Sequence, residues 1–241
     1  MRAILLDIEG TTTPIAFVHE VLFSFARTHL RDYLAKHFDS KDVVADVNLL
    51  REEHKQDVSE GKQPPPLAEA PDDIESIAAY VNWLIDKDRK STGLKSLQGK
   101  IWQEGYSDGT LRAQVFPDVA PALARWRVAG LNVSIFSSGS VLAQQLLFAH
   151  TESGDLTPFI NNYFDTSVGK KVESESYSRI AEALEVPASE VLFVSDVVAE
   201  LAAAREAGME VALSVRPGNQ PQPSADQYTA IQSFDELGSA T

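Results

Sequence analysis

Asp7 and Glu9 stand one residue apart at the end of a short apolar run, Ala3, Ile4, Leu5 and Leu6, and are followed by Gly10, a threonine triplet and Pro14. A run that short, bounded by Gly and Pro, reads as a buried parallel strand, and its two-residue alternation sends Asp7 and Glu9 to one side and Ile8 back into the core. In open α/β sheets ligands bind beyond the carboxyl ends of the strands, so both acids are expected to enter that crevice. Two carboxylates sharing a site repel, and one is pushed to a higher pKa unless a cation lies between them. Mg2+ suits the place, because it takes oxygen ligands and is commonly held by one or two carboxylates together with substrate phosphates. Gly10 permits a tight turn, and the amides and hydroxyls of Gly10, Thr11 and Thr12 are expected to hydrogen-bond phosphate oxygens. The competing reading is a strand that ends in a solvated acidic turn.

Three further stretches offer partners. Ser137, Ser138, Gly139 and Ser140 follow a second apolar run, Leu131 to Phe136, and precede a helical pattern from Val141 to Phe148. Backbone amides at such a helix start hold phosphate well, and serine is equally at home there as a cap. Lys170 and Lys171 precede a helical pattern from Ser174 to Leu184. The positive end of a helix dipole disfavours lysine, so an anionic ligand would explain its presence; Lys170 reads as solvated, and the preference for Lys171 as the site candidate rests on the resemblance given below. Asp196 follows the apolar run Val191 to Val194, with Glu200 one helical turn on. Glu200 is left open between the metal site, Lys171 and a surface pair.

These residues need a scaffold. Apolar runs at Ala3–Leu6, Leu131–Phe136, Tyr163–Thr166, Val191–Val194 and Met209–Val215 predict five strands, with helices between them, hence parallel crossovers in a Rossmann-like α/β sheet. Val119–Ala129 reads as a helix stopped by Gly130, and Ile231–Leu237 as a short final helix. Between the first two strands lies a block with no strand pattern. Phe17, Val21, Leu22, Phe25, Leu30, Leu34 and Phe38 recur at helical spacing, and Val43–Leu50 is weakly periodic. Gly61–Pro71, with three consecutive prolines, reads as an extended connection. Asp72 or Asp73 is expected to cap a helix carrying Ile77, Tyr80, Val81, Leu84 and Ile85, and a last helix holds Leu97, Ile101 and Trp102. The expected division is a core of 1–14 and 115–241 with an inserted all-helical cap domain, 15–114. Phe17, His19 and Trp102 are assigned to packing or surface rather than to the site.

A chain of 241 residues buries roughly 70% of its unfolded surface. The formal charge of −14 argues against nucleic acid or an anionic membrane as partner, and an anionic substrate needs local lysine, arginine or metal. The absence of cysteine excludes disulfides, a thiolate nucleophile and Cys-type zinc sites. No signal peptide and no run long enough to span a bilayer is present, so a cytoplasmic location is expected, and without heptads or an obvious apolar interface the expected state is a monomer.

Asp7 in DIEGT, Ser137 at a second strand's end, a lysine before a helix and Asp196 at a fourth strand's end resemble the ordered motifs of the haloacid dehalogenase superfamily. Within it, DIEGTTTPIAFVH, FSSGSVLAQQLLF, FDTSVGKKVESESY and VRPGN are similar to the enolase-phosphatase (acireductone synthase) family of methionine salvage, over nearly the whole chain and most weakly from Asp39 to Gly61 and after Gln220. The resemblance implies that Asp7 is the nucleophile that forms an aspartyl phosphate, and that Glu9 is the second acid, standing where most relatives carry aspartate. It further implies that Asp7, Glu9 (often through its backbone carbonyl) and Asp196 hold one Mg2+, and that Ser137, Ser138 and Lys171 bind substrate. The substrate implied is a phosphorylated diketone, 2,3-diketo-5-methylthiopentyl 1-phosphate, enolised and then dephosphorylated. Two rivals are another phosphatase or mutase of the superfamily and a catalytically silent binding module. A dinucleotide enzyme would want three spaced glycines where DIEGTTT supplies one.

Overall fold

The computed structural model describes residues 1–68, 70, 73–87, 89 and 91–238. They form two compact units, 1–18 with 112–241, and 19–111.

The first unit is built on a six-stranded sheet in the order β3-β2-β1-β4-β5-β6. Its strands are β1 (Ala3–Leu6), β2 (Asn132–Phe136), β3 (Asn162–Phe164), β4 (Val191–Ser195), β5 (Glu210–Ser214) and β6 (Ala230–Ile231). Every pairing is parallel. All four side chains of β1 are fully buried, as a strand covered on both faces requires. Ala3 and Leu5 join a cluster with Phe193 and with residues of the helices at Ser174–Ala183 and Val198–Glu206, including Tyr177, Ile180 and Leu201. The register sets Leu6 beside Ile135 on one side and Val194 on the other, so three strands end level.

The C-terminal expectation requires correction. Where a helix over Ile231–Leu237 is predicted, Ala230–Ile231 instead pairs with β5 as a sixth strand, and only Phe234–Glu236 turns as a short 3₁₀ segment, capped by Ser233. A two-residue strand has too few positions to show alternation. Phe234 is fully buried against Trp126, and it anchors the turn in the core.

Unit 19–111 holds, among its described residues, only helical elements: α1 (Phe23–His37), α2 (Lys41–Ser59), α3 (Ile74–Asp86) and α4 (Thr92–Asp108), with a π-helical turn over Phe17–Leu22 running into α1. Leu30, Leu34, Val47, Leu50, Tyr80 and Leu97 meet in its core. The weakly periodic Val43–Leu50 lies within the 19-residue α2, which Ser40 caps through the Val43 amide. Asp73 caps α3 at the Ser76 amide, 3.0 Å away; Asp72, the other expected cap, and Pro71 lie outside the described residues. Asp57 of α2, fully buried, accepts from the Tyr80 hydroxyl at 2.9 Å and from Arg89 at 2.5 Å, which ties α2 to α3. Trp102 is buried, donates to the Leu22 carbonyl and stacks on Phe23, which also takes the edge of His19; Phe17 is buried as well. No helix among the described residues is long and apolar enough to cross a membrane.

Candidate active site

Parallel pairing delivers the first acid. The Asp7 amide donates to the Val194 carbonyl at 3.0 Å and extends the β1–β4 ladder by one step, so Asp7 ends beside Ser195 with Asp196 next along. Asp7 and Asp196 are both buried, and Ile8 turns into the core as its alternation requires. Glu9 is half-buried.

The turn after β1 differs from its expected role. The Gly10 amide donates to the Thr13 carbonyl at 2.8 Å, and the amides of Thr11, Thr12 and Thr13 all converge on the Ile8 carbonyl. The Thr12 hydroxyl lies within reach of the Asp7 and Ile8 carbonyls. Thr11, Thr12 and Thr13 are fully buried. So tight a turn consumes its own amides, and those of Gly10, Thr11 and Thr12 are not free to cradle a phosphate, whereas the buried Thr11 hydroxyl has no partner among the described residues.

Lys171 reaches Asp7 as well. Its Nζ lies 2.5 Å from Asp7 Oδ1 and 2.7 Å from Glu200 Oε2. Its place before the helix Ser174–Ala183 is therefore explained by two carboxylates, and the open question over Glu200 closes on Lys171. The Tyr177 hydroxyl donates to the Lys171 carbonyl at 2.7 Å and fixes the backbone from which the ammonium extends. Ser195 Oγ donates to Glu200 Oε2 at 3.0 Å and accepts from the Val197 amide at 3.1 Å. Lys170 is exposed and pairs with Glu173, as a solvated lysine does.

The electrostatics follow from crowding. Burial, and then the charge of Asp7, push the Asp196 carboxyl up to about 7 against the pull of Lys171, and Glu9 adds to the rise. Burial and Asp7 likewise raise Glu200, again to about 7. Burial alone would lower the Lys171 ammonium, but Asp7 and Glu200 outweigh it and hold it protonated. Three acids around one ammonium leave the site short of positive charge, which a hard cation supplies.

Ser137 is buried at the end of β2; its amide donates to the Phe164 carbonyl, and its Oγ accepts from the Gly139 amide at 3.2 Å. Ser138 follows it, half-buried, and Ser140 caps the helix Val141–Ala149 through the Ala143 amide. Gln144 pins this turn by donating to the Gly139 and Phe164 carbonyls, both at 2.9 Å. Among the described residues no three His, Cys, Asp or Glu side chains are grouped to hold a metal ion. Asp7 and Asp196 nonetheless supply the two carboxylates with which Mg2+ is commonly content, the balance coming from carbonyls, waters and substrate phosphate.

Several supporting residues escape the sequence reading. Arg216, buried between the rings of Phe116 and Phe234 at 4.7 Å from each, donates to Asp118, to the Thr11 carbonyl and to the Gln232 carbonyl. Ser214 and Asn219 both donate to the Gly10 carbonyl, at 3.0 and 2.9 Å. The VRPGN word was the only signal for Arg216 and Asn219, and Ser214 lies just before it.

The comparisons agree with this geometry. The family model described as haloacid dehalogenase-like hydrolase matches residues 1–208. The chain is 52% identical to Enolase-phosphatase E1 of Synechococcus elongatus over 98% of each chain, and 47% identical to Enolase-phosphatase E1 of Sorangium cellulosum over 98% of this chain and 97% of that one. A solved structure from Saccharomyces cerevisiae, Unknown transcript 4 protein, is 34% identical with a TM-score of 0.79, covering 97% of this chain and 98% of that one. These families are generally Mg2+-dependent. The chain belongs to the haloacid dehalogenase-like hydrolases and, within them, to the enolase-phosphatase family.

Proposed function

We propose that this chain is the bifunctional enolase-phosphatase of methionine salvage, converting 2,3-diketo-5-methylthiopentyl 1-phosphate to 1,2-dihydroxy-3-keto-5-methylthiopentene and phosphate. The observation that carries the reading is the convergence of Asp7, Asp196 and Lys171 at the carboxyl ends of the two central strands, with Lys171 on Asp7. A phosphate monoester requires a nucleophile, positive charge on the transferring oxygens and a proton for the leaving group. Asp7 attacks phosphorus and becomes the aspartyl phosphate. Lys171, retained by Glu200, turns its ammonium to a phosphoryl oxygen as Asp7 engages. Ser137 and Ser138 bind the substrate phosphate.

Mg2+, when bound by Asp7, Asp196 and the Glu9 carbonyl, neutralises charge on the phosphoryl and enolate oxygens. Glu9 closes the proton balance. Its carboxylate takes the C1 proton in the enolisation, returns it to the leaving C1 oxygen as Asp7 attacks, takes a proton from the water that hydrolyses the aspartyl phosphate, and passes that proton to the C2 enolate oxygen, which completes the dihydroxy product and frees Glu9. Unit 19–111 is the inserted helical domain that the sequence places between the first two strands, and its proposed role is that of a cap. The enzyme acts as a cytoplasmic monomer, with one Mg2+ per chain.

The test follows ene-diol absorbance and phosphate release together, using the diketone phosphate with Mg2+, a chelator control and Asp7→Asn. Wild type forms the ene-diol and releases phosphate, and the variant releases none. Release from unrelated sugar phosphates alone overturns the substrate while leaving the hydrolase class. No turnover of any phosphate points to a binding module.

A further inference from the structure

Asn219 follows β5 in the VRPGN segment, and its orientation is set by chemistry. One end of its amide faces two carbonyls, those of Gly10 at 2.9 Å and Ser214 at 3.1 Å. Two acceptors require a donor, so that end is Nδ2 and the opposite end is Oδ1. The oxygen is buried and has no hydrogen-bond partner among the described residues. A buried acceptor left unmade costs about 1–3 kcal/mol, so such an atom calls for an explanation.

Its neighbour supplies one. Gly10 has a φ of +67°, and a Cβ placed on it would stand 2.5 Å from Asp196 Oδ2 and 2.8 Å from Asn219 Oδ1. Two acceptors, one a carboxylate oxygen, thus crowd the bare face of a glycine. Among the described residues nothing donates to Oδ1, and a water in the shell of a cation held by Asp196 would be a strongly polarised donor for it.

We propose that Asn219 is a positioning residue for the cation site, its buried Oδ1 accepting a hydrogen bond from a water ligand of the Mg2+ held by Asp7 and Asp196. The inference rests on the Mg2+ reading above. Ser214 separates this role from a purely structural clamp, since its hydroxyl donates to the same Gly10 carbonyl at 3.0 Å and, being satisfied there, leaves no orphaned acceptor such as Asn219 Oδ1.

Calorimetric titration with MgCl2, without substrate, tests it on the full chain, with circular dichroism as the fold check. Outer-shell partners contribute about 10–100-fold to metal affinity, so Asn219→Ala weakens Mg2+ binding about tenfold, while Ser214→Ala changes it less than about twofold. Equal affinities for wild type and Asn219→Ala overturn the proposal, as does equal weakening in both variants, which assigns the pair to holding the turn. Wild type that takes up no Mg2+ overturns the cation reading and this inference with it. If Asn219→Ala does not fold, a crystal structure of wild type with Mg2+ decides: a water ligand of the ion within hydrogen-bond distance of Oδ1 supports the proposal, and direct coordination by Oδ1 or no water there overturns it.

Discussion

The ammonium of Lys171 lies 2.5 Å from the carboxylate of Asp7, a residue 164 positions away, and also 2.7 Å from Glu200. One cation therefore serves two buried acids, and in the proposed mechanism its division between them sets how free the Asp7 oxygens are to attack. Glu200→Gln keeps the shape and withdraws the charge, so Lys171 settles on Asp7 and blunts it. The expected result is a fall in kcat of roughly tenfold, about 1.4 kcal/mol, with KM little changed, read from steady-state phosphate release. A raised KM at constant kcat would assign Glu200 to substrate binding instead.

The two adjacent lysines should separate cleanly. Lys171→Met removes the positive charge that, in the proposed mechanism, meets the transferring phosphoryl group, and loss of one such preorganised donor costs about 100-fold or more in rate. Lys170, exposed and paired with Glu173, touches none of the site, so Lys170→Met should leave phosphate release within about twofold of wild type. Equal losses in the two variants would show that the segment responds to net charge rather than to the Lys171 contact.

What was legible in the sequence tracks how local the signal is. Asp7, Asp196 and the run before each could be read because a buried strand announces itself by an unbroken apolar stretch and stops at its first acid. Lys171 could be singled out from Lys170 only by resemblance, since both precede the same helix; only the fold shows that one meets Asp7 while the other meets solvent. Gln144, Arg216 and Asn219 lie inside words that carry the resemblance, but their roles were not visible, because each works by donating to backbone carbonyls, and carbonyls have no sequence signature. The turn amides misled for the converse reason: a glycine-threonine run suggests free donors, and the fold spends them internally.

Glu9 is longer than the aspartate most of the superfamily carries by one methylene, and the double proton duty assigned to it depends on reach. Glu9→Asp withdraws the carboxylate by about 1 Å, a displacement that changes rates by ~100-fold. Ene-diol formation is expected to fall by that order, while phosphate release from a simple ester that needs no enolisation falls less. Rapid mixing that follows absorbance and phosphate in one experiment resolves the two steps. If the shorter acid leaves both steps unchanged, the C1 base is another group.

Asp118 offers a stability test outside the chemistry. Its carboxyl takes both ends of the Arg216 guanidinium, at 3.0 and 2.7 Å, and accepts from the Phe234 amide at 2.6 Å. Burial alone would raise its pKa, but the Arg216 hydrogen bonds, the Phe234 amide and the Arg216 charge outweigh burial and hold it below its ordinary value. A depressed carboxyl contributes stability that is fully present above its unfolded pKa, about 3.9, and is lost as pH falls through the folded value. Asp118→Asn leaves Arg216 buried between two aromatic rings without a counter-charge, so about 3 kcal/mol should be lost at pH 7, seen as a lower urea midpoint. The gap between the two proteins should stay constant down to about pH 4 and narrow below it, as wild type takes up the proton that the asparagine never needed. A gap that does not depend on pH would show that the loss comes from packing, with the charge of Asp118 contributing nothing.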